Sequence, residues 1–397
     1  MDNLALYQEL LNLPSVSVSS VKVEKDKIYI SCEVLGETCK CPKCGATCSS
    51  VHQRYERTLR DLNMASREVY LLLKVRQFYG SSCHHYFTES LDFAASGKSY
   101  THRQADFMFL ICRKQSYQEA AAILNMHSKT LERSVLSTCQ KRADLASRYA
   151  QVRRLGIDEQ SHRKGKKDYL CILTDLDRGR IVDILESRKK EDLIAHFQSL
   201  GKDFCEQITD VSCDYWQAYI SVAETCFPNA TIVLDRFHVV KLLNDCLDTF
   251  RKSLRKKYPD NLHYRRLKWI LYKQYHRLSD SELDDLEAAF EDCPTLKEIY
   301  WTREAFHHLL DNHTEVEQVL EKIEVWEKER KEDIKKVFEP FCKTLKNTKK
   351  YIANYVKNNL SNAVTEGLNN LIRSIRRAAF GMPNFEHLRW RALAISE

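Results

Sequence analysis

Two periodicities divide the chain. Between residues 153 and 235 the apolar residues fall in short runs broken by turn signals: "RRLGID", "KDYLCILTDL", "IVDILES", "EQITDVSCD" and "ATIVLD". Runs of this length, rich in β-branched residues, predict strands, and the turn Asp177-Arg178-Gly179 makes the second and third a hairpin. Asp158 is expected to end the first strand and Asp214 the fourth. The intervening segments "KKEDLIAHFQSLG", "WQAYISVAETCFP" and "FHVVKLLNDCLDTFRKSLRKK" carry apolar residues at helical spacing, and Pro228 stops the second of them.

The order is three strands, helix, strand, helix, strand, helix. A hairpin that opens a mixed sheet, with helices packed around it, is the ribonuclease-H-like arrangement. Residues 260–345 are helical in pattern, heavily charged and without strand signals, which suits an insertion. A last helix, "SNAVTEGLNNLIRSIRRAAFG", is expected to end at Gly381. On it Asn362, Glu366, Asn369 and Arg373 share one face, and Leu360, Val364, Leu368, Leu371 and Ile375 form an opposite, core-facing stripe.

Residues 101–142 also read as helical. Ser116 and Glu119 form a capping box, and Ser128 is a candidate N-cap after the break "NMH". Helix, short turn and helix predict a helix-turn-helix whose second helix offers Lys129, Thr130 and Arg133 to a DNA groove; the plainer alternative is an ordinary helical hairpin. The fold class that emerges is α+β and multidomain. A zinc-ribbon-like module is expected at 1–95, the helix-turn-helix at 96–150, a ribonuclease-H-like catalytic domain at 151–256 and 346–397, and an all-helical insertion at 257–345.

Composition narrows this further. Apolar residues at 43% and charged residues at 29% describe a globular chain, and no apolar run is long enough to cross a bilayer. The N-terminus has an early acid and no basic stretch, so a secretory signal is not expected and a cytoplasmic location is. In that compartment the 15 cysteines stay reduced, and the special ones bind metal. "CPKCG" (41–45) is a turn presenting Cys41 and Cys44, with Gly45 free to take positive φ. A second knuckle is expected in "VRQFYGSSCHHYFTE" (75–89), where Cys83 remains and Gly80 stands where another cysteine would complete a C-x-x-C pair. The fourth ligand of a zinc site at Cys41, Cys44 and Cys83 could be His84, His85, Cys39, Cys48 or His52; the alternative is a metal-free ribbon.

Asp158, Asp214 and Glu366 are the acids that such a fold brings to one end of its sheet. Three carboxylates make a hard-oxygen site suited to Mg2+ or Mn2+. Two such ions, roughly 3.5–4 Å apart, clamp the attacking and leaving oxygens of an in-line phosphoryl displacement. Asp235 and His238 follow the fifth strand, where they either support the site or form an ordinary helix cap. Lysine and arginine exceed the acids by only 62 to 55, but they cluster. "SHRKGKK" follows Asp158, "FRKSLRKKYPDNLHYRRLKW" follows the fifth strand, and "RRAAF" and "HLRWR" lie near the C-terminus. Interleaved aromatics there offer stacking surfaces for nucleic acid, and Arg373, Arg376 and Arg377 are candidate DNA contacts.

The stretches "GIDE" (156–159), "VSCDYWQAY" (211–219), "FPNATIVLDRFHVVKLLN" (227–244) and "SNAVTEGLNNLIRSIRRAAFGMPNFEHLRWR" (361–391) closely resemble bacterial insertion-sequence transposases of the DDE class, in the family called ISL-three. The resemblance covers nearly the whole chain. It implies that Asp158, Asp214 and Glu366 are the catalytic acids and that Asp235 and His238 match the family's Asp-x-x-His element. It also implies a ribbon cysteine at the position Gly80 occupies. The expected function is a transposase that binds the terminal inverted repeats of its element and catalyses metal-dependent cleavage and strand transfer, as a dimer or larger assembly on double-stranded DNA. The competing expectations are a sequence-specific DNA-binding regulator with an inactive nuclease-like domain, and a stand-alone ribonuclease-H-like nuclease.

Overall fold

A computed structural model of the chain describes residues 3–163, 168–261, 263–312, 315–358, 360, 363–382 and 384–396. Contacts divide it into two units, 1–142 with 375–382 and 143–374 with 383–397. Among the described residues, no helix is long and apolar enough to cross a membrane.

The first unit carries, in chain order, α1 (Asn3–Leu11), β1 (Val16–Val23), β2 (Lys27–Val34), β3 (Cys39–Lys40), β4 (Thr47–Cys48), β5 (Val51–Met64), β6 (Arg67–Gly80), β7 (His85–Thr88), α2 (His102–Cys112), α3 (Tyr117–Ile123) and α4 (Ser128–Ala143). Its main sheet runs β1-β2-β6-β5, with β7 added beside β6. Along β6 the alternation is strict. Val69, Leu71, Leu73 and Val75 are buried against Leu11, Ile28, Ile30 and Leu59, while Leu72 and Lys74 face out. The Ser116–Glu119 capping box is present. Ser128, by contrast, is the first residue of α4 and not its cap. The amides of Thr130 and Leu131 both bond the carbonyl of His127, which therefore starts the helical ladder one residue earlier.

The second unit begins with α5 (Leu145–Gln151), followed by β8 (Arg154–Arg163), β9 (Asp168–Asp175), β10 (Arg180–Leu185), α6 (Lys190–Ser199), α7 (Lys202–Gln207), β11 (Asp210–Cys213), α8 (Gln217–Cys226), β12 (Thr231–Leu234) and α9 (Arg236–Lys257). Its sheet has the order β10-β9-β8-β11-β12; β8, β9 and β10 are antiparallel, while β11 runs parallel to both β8 and β12. It is a mixed sheet with helices packed around it. Two expectations are corrected here. The run "EQITDVSCD" yields a strand only from Asp210, because Phe204 in α7 turns in to stack on Phe197 and meet Phe227 edge-on, and holds 202–207 helical. Asp158 does not end β8 but sits in its middle, because the hairpin with β9 continues to Arg163 after the parallel partner β11 has stopped at Cys213, opposite Ile157.

Beyond α9 the chain is helical: α10 (His263–Tyr272), α11 (Asp280–Asp292), α12 (Pro294–Asp311), α13 (Val316–Lys328), α14 (Glu332–Ala353), α15 (Tyr355–Asn358), α16 (Ala363–Ala378) and α17 (Phe385–Ile395). Trp326 packs edge-on against Phe306, Phe338 and Phe341 to form the centre of this region. Helix α14 runs without a break through residue 345, where the insertion was expected to end. Helix α17 is tied to the sheet edge by Arg389, which donates to both oxygens of buried Asp183 at 2.7 and 2.9 Å, while Tyr149 of α5 donates to the same carboxylate at 2.7 Å.

Helix α16 meets the sheet at one glycine. A Cβ on Gly156 of β8 would collide with Thr174 Oγ1 and stand 2.8 Å from Thr365 Oγ1 and 2.9 Å from Leu176. The two threonine hydroxyls bond each other at 2.8 Å across this gap, one from β9 and one from α16. Gly156→Ala is therefore expected to destabilise the protein by about 1–3 kcal/mol through overpacking. Gly367→Ala, on the same helix but with open space around it, is expected to stabilise by about 0.5–1 kcal/mol. Urea denaturation of the two variants checks the opposite signs.

Candidate active site and cysteine cluster

Because β11 ends one residue before Asp214 and opposite Ile157, Asp158 and Asp214 follow paired positions on neighbouring parallel strands. Asp235 follows β12 in the same way, its amide bonding the carbonyl of Cys213 at 2.8 Å. Three acids thus stand in a row at one edge of the sheet. Each is held by local bonds. Asp158 Oδ1 accepts from the Glu159 amide at 2.7 Å, Asp214 Oδ1 from the Trp216 amide at 2.8 Å, and Asp235 Oδ1 from the Phe237 amide at 3.2 Å. Asp235 is the N-cap of α9, and it also takes His238 Nδ1 on its other oxygen at 3.0 Å. The two descriptions of this pair, cap and site support, are geometrically compatible.

The electrostatics are those of crowded acids. Burial pushes Asp158 up to about 6, with Asp214 adding to the shift against the Glu159 amide, His238 and Asn369. Burial raises Asp214 as well. His238 is raised by its bond to Asp235 and by the charges of Asp214 and Asp158. The converging anions thus stabilise the protonated form of this imidazole relative to a free one.

Helix α16 presents a different face from the one its apolar residues predict. Thr365, Leu368, Asn369, Ile372 and Ile375 are the buried positions, whereas Val364 and Leu371 are only half-buried. The helix is rotated because two polar residues face the sheet: Thr365 bonds Thr174, and Asn369 Nδ2 donates to Asp158 Oδ2 at 2.8 Å. Gln160 of β8 donates in turn to the Asn369 carbonyl at 2.9 Å. Asn369 therefore leaves the polar face assigned to it, Glu366 and Arg373 stay exposed, and Asn362 lies outside the described residues. Asn369 Oδ1 is buried and has no partner among the described residues.

Glu366 sits one turn before Asn369, at the edge of a cavity of about 400 Å³ shared with Asp235, Phe237, Arg277, His307 and Tyr355. Its carboxylate is not among any three ligand atoms within 4.8 Å of one another; among the described residues only Cys41, Cys44 and Cys83 form such a group. Asp158 and Asp214 follow directly paired strand positions, and Glu366 lies on the helix that carries Asn369. His307 is buried and pushed down to about 4 by burial and by Arg303, Arg236 and Arg277. Two further residues join the surroundings of Asp158. Glu159 pairs with Arg188, whose guanidinium lies 3.8 Å over the Tyr169 ring and 4.6 Å from that of Trp216. The signal for Glu159 was its place beside Asp158; nothing in the sequence marks Arg188.

In the first unit the Cys41–Cys44 turn is closed by bonds between Cys41 and Ala46 and between Gly45 and Cys41, both 2.8 Å, with Gly45 at φ 74° as its position requires. Cys83 lies against this turn, its sulfur 3.5 Å from that of Cys41. A bond with Cys44 and burial push the Cys83 thiol up to about 11. Burial opposes ionisation of Cys41 too, but the amides of Cys44 and Lys43 and the neighbouring thiols outweigh it and lower that thiol. The donor set, three sulfurs with one already biased toward thiolate, is one that zinc takes.

Lys129, Thr130 and Arg133 are exposed along the first turns of α4, after the tight turn that separates it from α3. On α16, Arg373 and Arg377 are exposed and Arg376 is half-buried, with burial lowering its pKa. Residues 164–167, which hold most of the "SHRKGKK" run, lie outside the described residues.

Residues 155–392 match the ISL3 family of DDE transposases, described as "Transposase", and residues 37–83 match the zinc-finger of transposase IS204/IS1001/IS1096/IS1165. The chain is 25% identical over 371 residues to the transposase for insertion sequence element IS1001 of Bordetella parapertussis, covering 87% of this chain and 86% of that one. It is also 25% identical over 421 aligned positions to the transposase for insertion sequence element IS1557 of Mycobacterium tuberculosis (strain CDC 1551 / Oshkosh), covering 96% of this chain and 93% of that one. With more than half of its length matched, from the first strand of the mixed sheet to the last helix, the chain belongs to the ISL3 family of DDE transposases.

Proposed function

We propose that this protein binds the terminal inverted repeats of its insertion sequence and catalyses metal-dependent cleavage and strand transfer there, in a ribonuclease-H-like domain whose catalytic acids are Asp158, Asp214 and Glu366. The observation that carries the proposal is the juxtaposition of Asp158 and Asp214 at the end of β11, with α16 pinned beside them through Asn369. A strand order of β10-β9-β8-β11-β12, antiparallel and then parallel, supports the fold assignment.

The residues present fit divalent cations. Burial raises the proton affinity of two half-buried carboxylates, with Asp214 adding to it for Asp158 and Glu159 and Asp235 adding to it for Asp214, and a buried amide oxygen, Asn369 Oδ1, lies unpaired on the side chain that bonds one of them. Hard oxygens in this number suit Mg2+ or Mn2+, which Asp158 and Asp214 would hold together with Glu366. When bound, such ions supply Lewis-acid stabilisation of the attacking and leaving oxygens in phosphoryl transfer. The chain itself supplies position and charge. The Glu159 amide and Asn369 fix the two oxygens of Asp158, the Trp216 amide fixes one of Asp214, and His238 offsets their negative charge from the side of α9. The cavity beside Glu366 is lined by exposed Phe237 and by Arg277, a ring and a cation suited to the base and phosphate of a nucleotide. No serine or tyrosine nucleophile is needed, because water and then a DNA 3′-hydroxyl serve as attacking groups. Handling two element ends calls for a dimer or larger assembly.

Recognition is assigned to a helix-turn-helix at 116–143, with α4 entering a groove through Lys129, Thr130 and Arg133. Arg373, Arg376 and Arg377 are proposed to contact the DNA backbone.

Asp158→Asn and Glu366→Gln are each expected to reduce cleavage and joining of a labelled terminal-repeat duplex to background while end binding persists. Glu329→Gln, at the exposed end of α13, is expected to leave all three intact. Mg2+-dependent cutting by either of the first two variants would remove that residue from the site.

Lys129→Ala and Arg133→Ala are expected to cost about 1–3 kcal/mol of discrimination between repeat and random duplex wherever the side chain reads a base edge. A side chain that touches only phosphate is expected instead to weaken both duplexes alike and to flatten the salt dependence. Fluorescence anisotropy titrations at several salt concentrations separate the two outcomes.

A further inference from the structure

The cysteine cluster departs from a four-ligand site at one definite place. The sulfurs of Cys41, Cys44 and Cys83 lie within 4.8 Å of one another and provide three corners of the tetrahedron that zinc prefers. Gly80, at the end of β6, faces the same point. A Cβ built on it would lie 3.4 Å from Cys83 Sγ and 3.5 Å from Cys41 Sγ. Position 80 is therefore where a fourth side-chain ligand would enter, and glycine brings none.

The nearby imidazoles and thiols are directed elsewhere. The turn after Cys83 puts His84 at φ 51°, and its Nδ1 bonds the Tyr79 hydroxyl at 2.7 Å. His52 packs on the ring of Tyr86, and His85 stacks beside Phe87. The thiols of Cys39 and Cys48 point to the carbonyls of Lys40 and Ala46. None of these five joins the group of three sulfurs. Cys44 is exposed and Cys83 half-buried, so solvent reaches the cluster.

We propose that this chain holds zinc through the three thiolates of Cys41, Cys44 and Cys83 alone, with the fourth position, beside Gly80, open to a small exogenous ligand such as water or a small anion. Closed four-ligand sites hold zinc as a structural element, whereas an open position makes the ion exchangeable and able to take an outside donor. The proposal rests on the cluster being a metal site and is independent of the assignment of the acids.

The test uses the full-length protein with cobalt(II) in place of zinc, because thiolate-to-cobalt charge transfer reports the number of sulfurs and the d–d bands report the fourth ligand. The wild type is expected to bind one cobalt per chain. Gly80→Cys is expected to raise the charge-transfer intensity by about one third, from three thiolates to four, and to tighten zinc against a competing chelator by about tenfold or more. Azide is expected to shift the d–d bands of the wild type and to leave those of Gly80→Cys unchanged. The azide response of the wild type stands as a test even if the variant fails to fold. The proposal is overturned if the wild type binds no metal, or if its bands ignore azide. It is equally overturned if His84→Ala or His85→Ala changes the wild-type spectrum, since an imidazole would then fill the fourth position. Loss of DNA cleavage in the Asp158 variant with this spectroscopy unchanged would show that the two sites stand or fall separately.

Discussion

The arrangement of the acids depends on a close approach between a helix and a strand. Helix α16 touches β8 at Gly156, where the hydroxyls of Thr174 and Thr365 meet and no side chain fits. From that contact the helix runs on so that Asn369, one turn later, reaches Asp158, while Gln160 holds the Asn369 carbonyl. Glu366 is the neighbour of Thr365 in sequence, so its distance from the sheet is set by the same contact. A larger residue at 156 would push the helix outward and carry both Asn369 and Glu366 away. Because packed interiors are about as dense as organic crystals, such a displacement is not absorbed locally.

The sheet contributes the other half of the geometry. Parallel strands β11 and β12 end in register beside the middle of β8, so Asp158, Asp214 and Asp235 are delivered to one end of their pairing by strand register. Burying them there raises the proton affinity of Asp158 and Asp214, and the neighbouring acids add to it. His238 and the amide donors at Glu159, Trp216 and Asn369 offset part of that rise. Acids left partly uncompensated in this way are consistent with the proposed cation site.

Much of this was legible in the sequence because it is local. The β-branched runs, the turn at Gly179, the helix stop before Pro228 and the capping box at Ser116 are each fixed by nearby residues, and each appears where the pattern puts it. The departures come from tertiary contacts. Asp158 lies within β8 because β9 outlasts β11. Phe204 keeps 202–207 helical by joining an aromatic cluster. Asn369 is buried because its partner is Asp158, and no helical-wheel argument can see a partner 211 positions away. Similarly, the pairing of Arg188 with Glu159 brings together residues whose spacing carries no signal. In the cysteine cluster the sequence revealed the missing ligand at Gly80, and only the fold shows that the glycine faces the vacated corner.

The most direct measurement is iron-directed cleavage of the polypeptide. Fe2+ replaces Mg2+ at hard-oxygen sites and, with ascorbate and peroxide, cuts the backbone beside the residues that hold it. If Asp158, Asp214 and Glu366 share one metal site, the full-length protein should be cut near residues 158, 214 and 366 together. Excess Mg2+ should suppress all three cuts in parallel, and Asp158→Asn should abolish them. Cuts near 158 and 214 without one near 366, or cuts that persist in Asp158→Asn, would contradict a site built by the docking of α16 on β8.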